Sequence, residues 1–407
     1  MEKLKTAINQ IAYAPNVSSL PPLHRSIIPL LSLASSIYRI ALNFRYKLYY
    51  YGLFKRRRLP VPVISVGNLT YGGNGKTPMV ELLALLFAHS GIPPLILTRG
   101  YAGGDEAKML RRHLGGTSAK IGVGANRAVT ANAFIKKFGF MDLDKRARFA
   151  CLGAEQKQLH NFDSDRIGVA VLDDGMQHLS LWRDLDIVMV NAMMPWGNSH
   201  LIPLGPLREP LSALKRADIA VIHHADMVSE QDVKNLELML HAMKDTLHIF
   251  STEMVPSHYF EVGNFSCSLP LEVVNNATVL CVSAIGCATS FVQAIEKMGP
   301  QFVDCLDFSD HHIFHDQDVY VIKSKLEEMR KSGSCPVVAI TEKDYDRDPE
   351  VLKMLDPYKV LVLCSRLQIL PRKGNDMGSF TTLLERLVSE NKSSCGHNKP
   401  NFCGSRF

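Results

Sequence analysis

The sequence predicts an α/β protein: a parallel sheet covered by helices on both faces, then a second, smaller α/β domain, with an amphipathic helix ahead of both. Two observations carry this. Short runs that are apolar throughout, rather than alternating, recur between stretches of helical periodicity, the pattern of strands buried on both faces. The chain also has 407 residues, 46% hydrophobic and 21% charged, enough for more than one core. That composition excludes wholesale disorder, collagen-like repeats and a small disulfide scaffold, and no uninterrupted apolar run suits a polytopic membrane protein.

Residues 1–20 are mixed and mildly basic, and read as an N-terminal extension in the manner of a short organellar presequence. Residues 21–58 follow as one segment. Between Ile27 and Phe54 apolar residues recur at helical spacing, interrupted by Arg39, Arg45 and Lys47, with Tyr49–Tyr51 just before the cluster Lys55–Arg58. This fits a helix lying in a membrane surface, or one packed on the protein's own core. The P-loop-bearing domain is expected over 59–250. Its strands are Leu59–Val66, Pro93–Thr98, Ile121–Val123, Arg166–Leu172, Asp186–Val190 and Ile219–Ile222; its helices lie near Pro78–His89, Ala128–Phe138 and Asp232–Lys244. Ile249–Val262 reads as extended connecting structure. The second domain, 251–389, has strands at Val279–Val282, Phe302–Leu306, Val337–Thr341 and Val360–Leu363, with helices at Ser290–Met298, Val319–Lys331 and Thr381–Ser389. The Ser/Asn/Lys-rich tail 390–407 reads as disordered.

Charge is uneven. Net charge is +6, yet residues 1–58 hold ten Lys/Arg against Glu2 alone, leaving the remainder slightly acidic. The basic end suits an anionic lipid surface, and the body does not suit nucleic acid. Nine cysteines without a CxxC pair read as free thiols in a reducing compartment. Cys395, His397 and Cys403 in the tail have only a loose metal-like spacing.

The strongest local signal is residues 61–78, VPVISVGNLTYGGNGKTP. A strand, a glycine turn, Lys-Thr and a helix in that order are the parts of a P-loop, as in the P-loop NTPase-like folds. Gly72, Gly73, Asn74, Gly75, Lys76 and Thr77 form the expected nucleotide cradle. Its N–H groups face phosphate, Lys76 reaches the β- and γ-phosphates, and the Thr77 hydroxyl ligates Mg²⁺. Thr70 stands where the standard spacing has glycine. Asp173 and Asp174 end a buried apolar run, where a second Mg²⁺-organising acid belongs, although such a pair can also cap a helix.

Six blocks then occur in order: GNLTYGGNGKTP (67–78), TRGYAGGDE (98–106), LDDGMQHLSLWRDLDIV (172–188), LIPLGPLREPLSALKRAD (201–218), FSDHHIF (308–314) and TEKD (341–344). Together they resemble the tetraacyldisaccharide 4′-kinase (lipid A 4′-kinase) family from about Leu20 to Leu387, including its plant mitochondrial members. The third and fourth blocks, around residues 172 and 201, are far more specific than the P-loop, and Thr70 is ordinary for the family. The resemblance implies an enzyme that phosphorylates the 4′-hydroxyl of a tetraacyl glucosamine disaccharide 1-phosphate with ATP and Mg²⁺, giving lipid IVA.

The same resemblance implies site residues. Asp105 of the GDE block would accept or relay the hydroxyl proton, with His311 orienting it, the pair forming when two domains close. Taken alone, Asp105 could be a turn residue and His311 part of a helix cap. Arg208 would neutralise transferring charge and Glu209 would hold Mg²⁺; Gln177 and His178 would line the acceptor site. TEKD would support the second domain without a catalytic role. Only Ala102, Gly103 and Gly104 separate Tyr101 from Asp105, a shorter link than in bacterial members. The expected location is a mitochondrion, peripheral at the inner membrane, with the cytoplasmic face of a bacterial inner membrane as the alternative. Two other readings are a P-loop ATPase or GTPase switch and a nucleotide-binding membrane scaffold without chemistry. Glu342 at the lysine position of a guanine-reading N-K-x-D argues against GTP.

Overall fold

The computed structural model describes residues 2–14, 20–100, 104–141, 165–331 and 335–393. The tail beyond 393, with Cys395, His397 and Cys403, and residues 101–103 before Asp105 lie outside the described residues. Twelve strands form one sheet: β1 Val63–Gly67, β2 Pro94–Thr98, β3 Lys120–Val123, β4 Val169–Asp173, β5 Leu185–Asn191, β6 Ile219–His223, β7 His248–Glu261, β8 Asn264–Leu269, β9 Thr278–Ser283, β10 Phe302–Asp307, β11 Val337–Thr341 and β12 Val360–Leu370. The helices are α1 Glu2–Tyr13, α2 Pro22–Tyr50, α3 Lys76–His89, α4 Asp105–His113, α5 Arg127–Phe138, α6 Glu230–Met243, α7 Ala288–Glu296, α8 Asp316–Arg330, α9 Glu342–Arg347, α10 Pro349–Lys353 and α11 Met377–Ser393.

Strand order is β10-β9-β11-β12-β7-β6-β5-β1-β4-β2-β3, with β8 beside β7. Every pairing is parallel except those of β7 with β12 and with β8. The expected α/β class therefore holds. β1, β2, β4 and β6 are buried at every position, because helices cover both faces, and that is why their sequences are apolar without alternation.

The segment expected to connect two domains is instead the fourteen-residue strand β7. Its first residues pair with β6, from Ile219↔His248 to His223↔Thr252, and nearly its whole length pairs with β12. One sheet thus runs through both lobes, and the expected boundary at 250/251 falls inside a strand. The C-terminal helix also departs from its expected place. Phe380, Leu383, Leu384 and Val388 of α11 join Ile64, Met79, Leu83 and Phe87 in the first lobe's core. The eleven-residue β12 carries the chain back there, contributing Leu367 and Ile369 to the same core. The second lobe keeps its own core around Leu280, Val282, Phe314, Ile322, Leu326 and Ile340.

Helix α2 lies along the first lobe. Leu31, Ser35 and Leu42 are buried, and Ser35 Oγ, Tyr38 Oη and an Arg45 nitrogen donate to the carbonyls of Leu201, Arg208 and Gln177. Its other side exposes Leu23, Leu30, Leu33, Ile37, Ile40 and Phe44. By length and composition alone it could cross a membrane. Residues 2–13, expected within a presequence-like extension, form a helix docked on the body, with Ala7, Ile11 and Ala12 buried.

Candidate nucleotide and phosphoryl-transfer site

A cavity of about 830 Å³ opens between the lobes at the carboxyl ends of β1, β2, β4 and β6, where open α/β sheets bind ligands. The turn after β1 forms its floor. Gly75 is left-handed (φ 73°) and leads into α3, and a side chain there would collide with the His223 ring. Glycine thus serves both backbone and packing at this position. Gly72 to Thr77 all line the cavity, so the structure brings the six predicted cradle residues together. Three of the turn's carbonyls are held: that of Tyr71 accepts from Tyr13 Oη (2.9 Å), that of Gly72 from Asn74 Nδ2 (3.0 Å) and that of Gly73 from Asn191 Nδ2 (3.1 Å). The second lobe meets the same turn, since a Cβ on Gly286 would collide with the Gly73 nitrogen.

Lys76 Nζ lies 3.9 Å from Asp174 Oδ1. Burial lowers the lysine's pKa, with Asp174 opposing. Arg208 makes two 2.8 Å bonds to the Asp174 carboxylate and also reaches Asn68. Burial would raise Asp174, but Lys76 and Arg208 outweigh it and hold its carboxyl below the usual range. Asp173, next along and 3% exposed, is pushed up to about 7 by burial and by the Glu106 and Asp174 carboxylates. Glu106 is raised too, first by burial. Three carboxylates therefore converge beside a hydroxyl and a phosphate turn, and two of them resist ionising together. Among the described residues no three His, Cys, Asp or Glu side chains enclose an ion by themselves.

Asp105 opens α4 and has no exposed surface. Its Oδ2 lies 3.2 Å from His311 Nδ1 and accepts from Arg347 Nη2 at 3.2 Å, while Oδ1 accepts from the Glu106 N–H. Burial raises its pKa, but the bond to His311 and the Lys343 charge bring the balance below the ordinary carboxylate value. His311 has φ 62°, an uncommon conformation for a residue with a side chain. It faces the cavity, its Nε2 3.3 Å from Lys343 Nζ. Asp105 and His311, expected to meet on lobe closure, do meet here. The carboxylate, however, sits behind the imidazole and outside the cavity lining.

Other expected positions fall elsewhere. Glu209 is 1% exposed and bonded to Arg216 at 2.5 Å, which in turn bonds Tyr46 of α2. It does not line the cavity, so the structure does not bring it to the metal position. The neighbouring Arg208 does line the cavity and bonds Asp174. Gln177 and His178 also lie outside the lining. Gln177 Nε2 donates to the Asn68 carbonyl, and His178 pairs with Ser180 at 2.9 Å. Burial first, then surrounding arginines, drop His178 to about 4.

Sequence reasoning missed Glu106, Lys343, Arg347, Asn191 and Tyr13. TEKD, expected to be only supportive, sends Lys343 to His311 and Glu342 to His113 at 2.7 Å. Lys343 and Arg347 stand four apart on α9, one helical face, and that spacing was the available signal. On the β6 side of the turn, His223 and His224 form a buried imidazole pair with centroids 3.9 Å apart. Burial keeps both neutral, His224 at about 4.

Residues 27–385 match the family model described as tetraacyldisaccharide-1-P 4′-kinase. A protein of Arabidopsis thaliana named probable tetraacyldisaccharide 4′-kinase, mitochondrial, is 53% identical over 392 residues, spanning 96% of this chain and 99% of that protein. A tetraacyldisaccharide 4′-kinase of Chlorobaculum parvum is 31% identical, covering 81% of this chain and 88% of its own. Among solved structures, an Aquifex aeolicus LpxK crystallised with ATP matches in fold, with a TM-score of 0.58 at 22% identity over 90% of this chain and 98% of that one. Motif order, sheet and full-length similarity agree: the chain belongs to the tetraacyldisaccharide 4′-kinase family.

Proposed function

We propose that this protein transfers the γ-phosphoryl group of ATP to the 4′-hydroxyl of a tetraacyl glucosamine disaccharide 1-phosphate, producing lipid IVA. The observation that carries this reading is the placement of His311 and Asp105, 3.2 Å apart, across the cavity that the Gly72–Thr77 turn floors. A hydrolase needs only water there; a kinase needs a base for an incoming hydroxyl.

In this reading His311 Nε2 takes the hydroxyl proton. Asp105, buried and fixed by Arg347, holds Nδ1–H and stabilises the imidazolium, so it acts as a positioning residue and not as the proton acceptor expected from the sequence. The sugar oxygen forms a bond to the γ-phosphorus as the bond from that phosphorus to the bridging oxygen breaks, and ADP leaves. Lys76 and Arg208 face the negative charge that moves during transfer. Thr77, Asp173 and Glu106 would hold Mg²⁺, with Asp174 beside them; when bound, the ion neutralises charge on the β- and γ-phosphates. The neutral His223–His224 pair is suited to an uncharged nucleobase. The His223 ring packs against Gly75 on the β6 side of the turn.

The acceptor's acyl chains would reach the site from a bilayer. Because one face of α2 is hydrogen-bonded to the body along its length, its exposed apolar side suits lying in a membrane surface better than spanning it. A peripheral position at the mitochondrial inner membrane is part of this reading. The test is to incubate the protein with a defined acylated disaccharide 1-phosphate, ATP and Mg²⁺, and to weigh the lipid. A mass gain of one phosphate, placed at the 4′ position, is expected. Nucleotide turnover without lipid product would favour an ATPase or GTPase switch, and nucleotide binding without turnover would favour a scaffold.

A further inference from the structure

In a trans peptide unit the C=O of one residue and the N–H of the next point in opposite directions. Anchoring a carbonyl therefore also fixes the direction of the following N–H. Three consecutive carbonyls of the phosphate turn are anchored in this way, each by a different element. Asn74 comes from the turn itself and Asn191 from the end of β5. The third donor, Tyr13 Oη on the Tyr71 carbonyl, comes from α1. Together they fix the backbone of residues 71–73, the stretch that leads into the phosphate turn.

Helix α1 is built into that place. Asn198 donates from its backbone to the Ala12 carbonyl (2.8 Å) and from its side chain to the Ile11 carbonyl (3.1 Å). The Tyr13 and Tyr71 rings meet edge-on at 5.9 Å, and Tyr71 Oη bonds Asn9 Oδ1 at 3.1 Å. Ile8 and Asn9 line the cavity itself. Residues 1–26 lie outside the span matched by the family model, so none of this follows from the family pattern. Burial pushes the Tyr13 hydroxyl's pKa far up, and it remains a donor throughout the working range.

We infer that α1 is a working part of the nucleotide site and that Tyr13 is a positioning residue for the phosphate turn. This rests on reading the turn as the nucleotide site. Tyr13→Phe removes one hydroxyl and keeps the ring contact. One neutral hydrogen bond corresponds to a change of about fivefold. We expect Tyr13→Phe to raise the Kd for ADP and the KM for ATP about that much, leaving kcat and the thermal midpoint near wild type; deleting residues 2–14 raises both constants further. An unchanged ADP Kd in Tyr13→Phe overturns the inference, as does a lowered midpoint with unchanged affinity, which would mark a structural role only. So does a mature chain, recovered from its own cells, whose intact mass begins beyond residue 13. Wild-type protein that binds no ADP would overturn the nucleotide reading itself, a separate failure.

Discussion

His113 joins the two lobes. Its Nδ1 lies 2.8 Å from Glu81 of α3 and its Nε2 2.7 Å from Glu342 of α9. Beside it Arg112 bonds both Glu342 and Asp346. Burial lowers the histidine's proton affinity, but the two carboxylates outweigh it and raise the pKa from the usual 6.5 to about 9. Each tenfold change in proton affinity is worth about 1.4 kcal/mol, so the charged form adds on the order of 3 kcal/mol to the folded state. The pKa is raised on folding, so this stability is complete below about pH 6.5 and is lost as pH climbs through about 9. His113→Gln keeps two polar ends but cannot carry the charge. Denaturant unfolding followed by circular dichroism between pH 6 and 9.5 reads the difference. The wild type should lose a few kcal/mol more than the variant across that window, and the variant should start lower. Parallel pH profiles would refute the bridge as a stabilising element. The three side chains are 9–15% exposed, so salt should screen the effect only weakly.

Two predictions concern the chemistry and one the membrane. Asp105→Asn should lower kcat by about 10²–10⁴ with ADP affinity retained, and His311→Ala should match it; a near-normal kcat in either, measured by lipid product formation, removes the base assignment. Lys76→Ala should abolish turnover, and residual activity above a few per cent would place the phosphates elsewhere. Replacing Leu33, Ile37 and Ile40 with Asp should release the protein from anionic vesicles in a flotation assay while leaving its unfolding transition intact, because these side chains are exposed. Unchanged flotation would sink the surface role of α2.

The phosphate turn was legible because its causes are local. Glycines at fixed offsets, a Lys-Thr pair and a flanking apolar run need no distant partner to be recognised, and Gly72–Thr77 lie where they were expected. The carboxylate pair at 173–174 was legible for the same reason. The path of the chain after residue 250 was less so. An extended run such as β7 looks the same whether it links two domains or pairs with β6 and β12 at once, since its hydrogen-bond partners lie far off in sequence. Likewise, a helix with one apolar stripe does not state which core will receive it, and α11 returns to the first lobe.

What the sequence alone determined, then, is most of the strands and helices of the sheet, the glycine turn at 72–77 and, through the resemblance of its motifs, the family. Tertiary structure decided which side chains meet. Asp105 meets Arg347 across 242 positions and is enclosed behind His311. Glu209 turns to Arg216 while its neighbour Arg208 takes Asp174, and Tyr13 reaches the turn from 58 residues away. Backbone conformation answers mainly to neighbours along the chain. The partner, protonation and direction of a polar side chain answer to whatever packing brings within three ångströms or so, and a string of letters does not contain that distance.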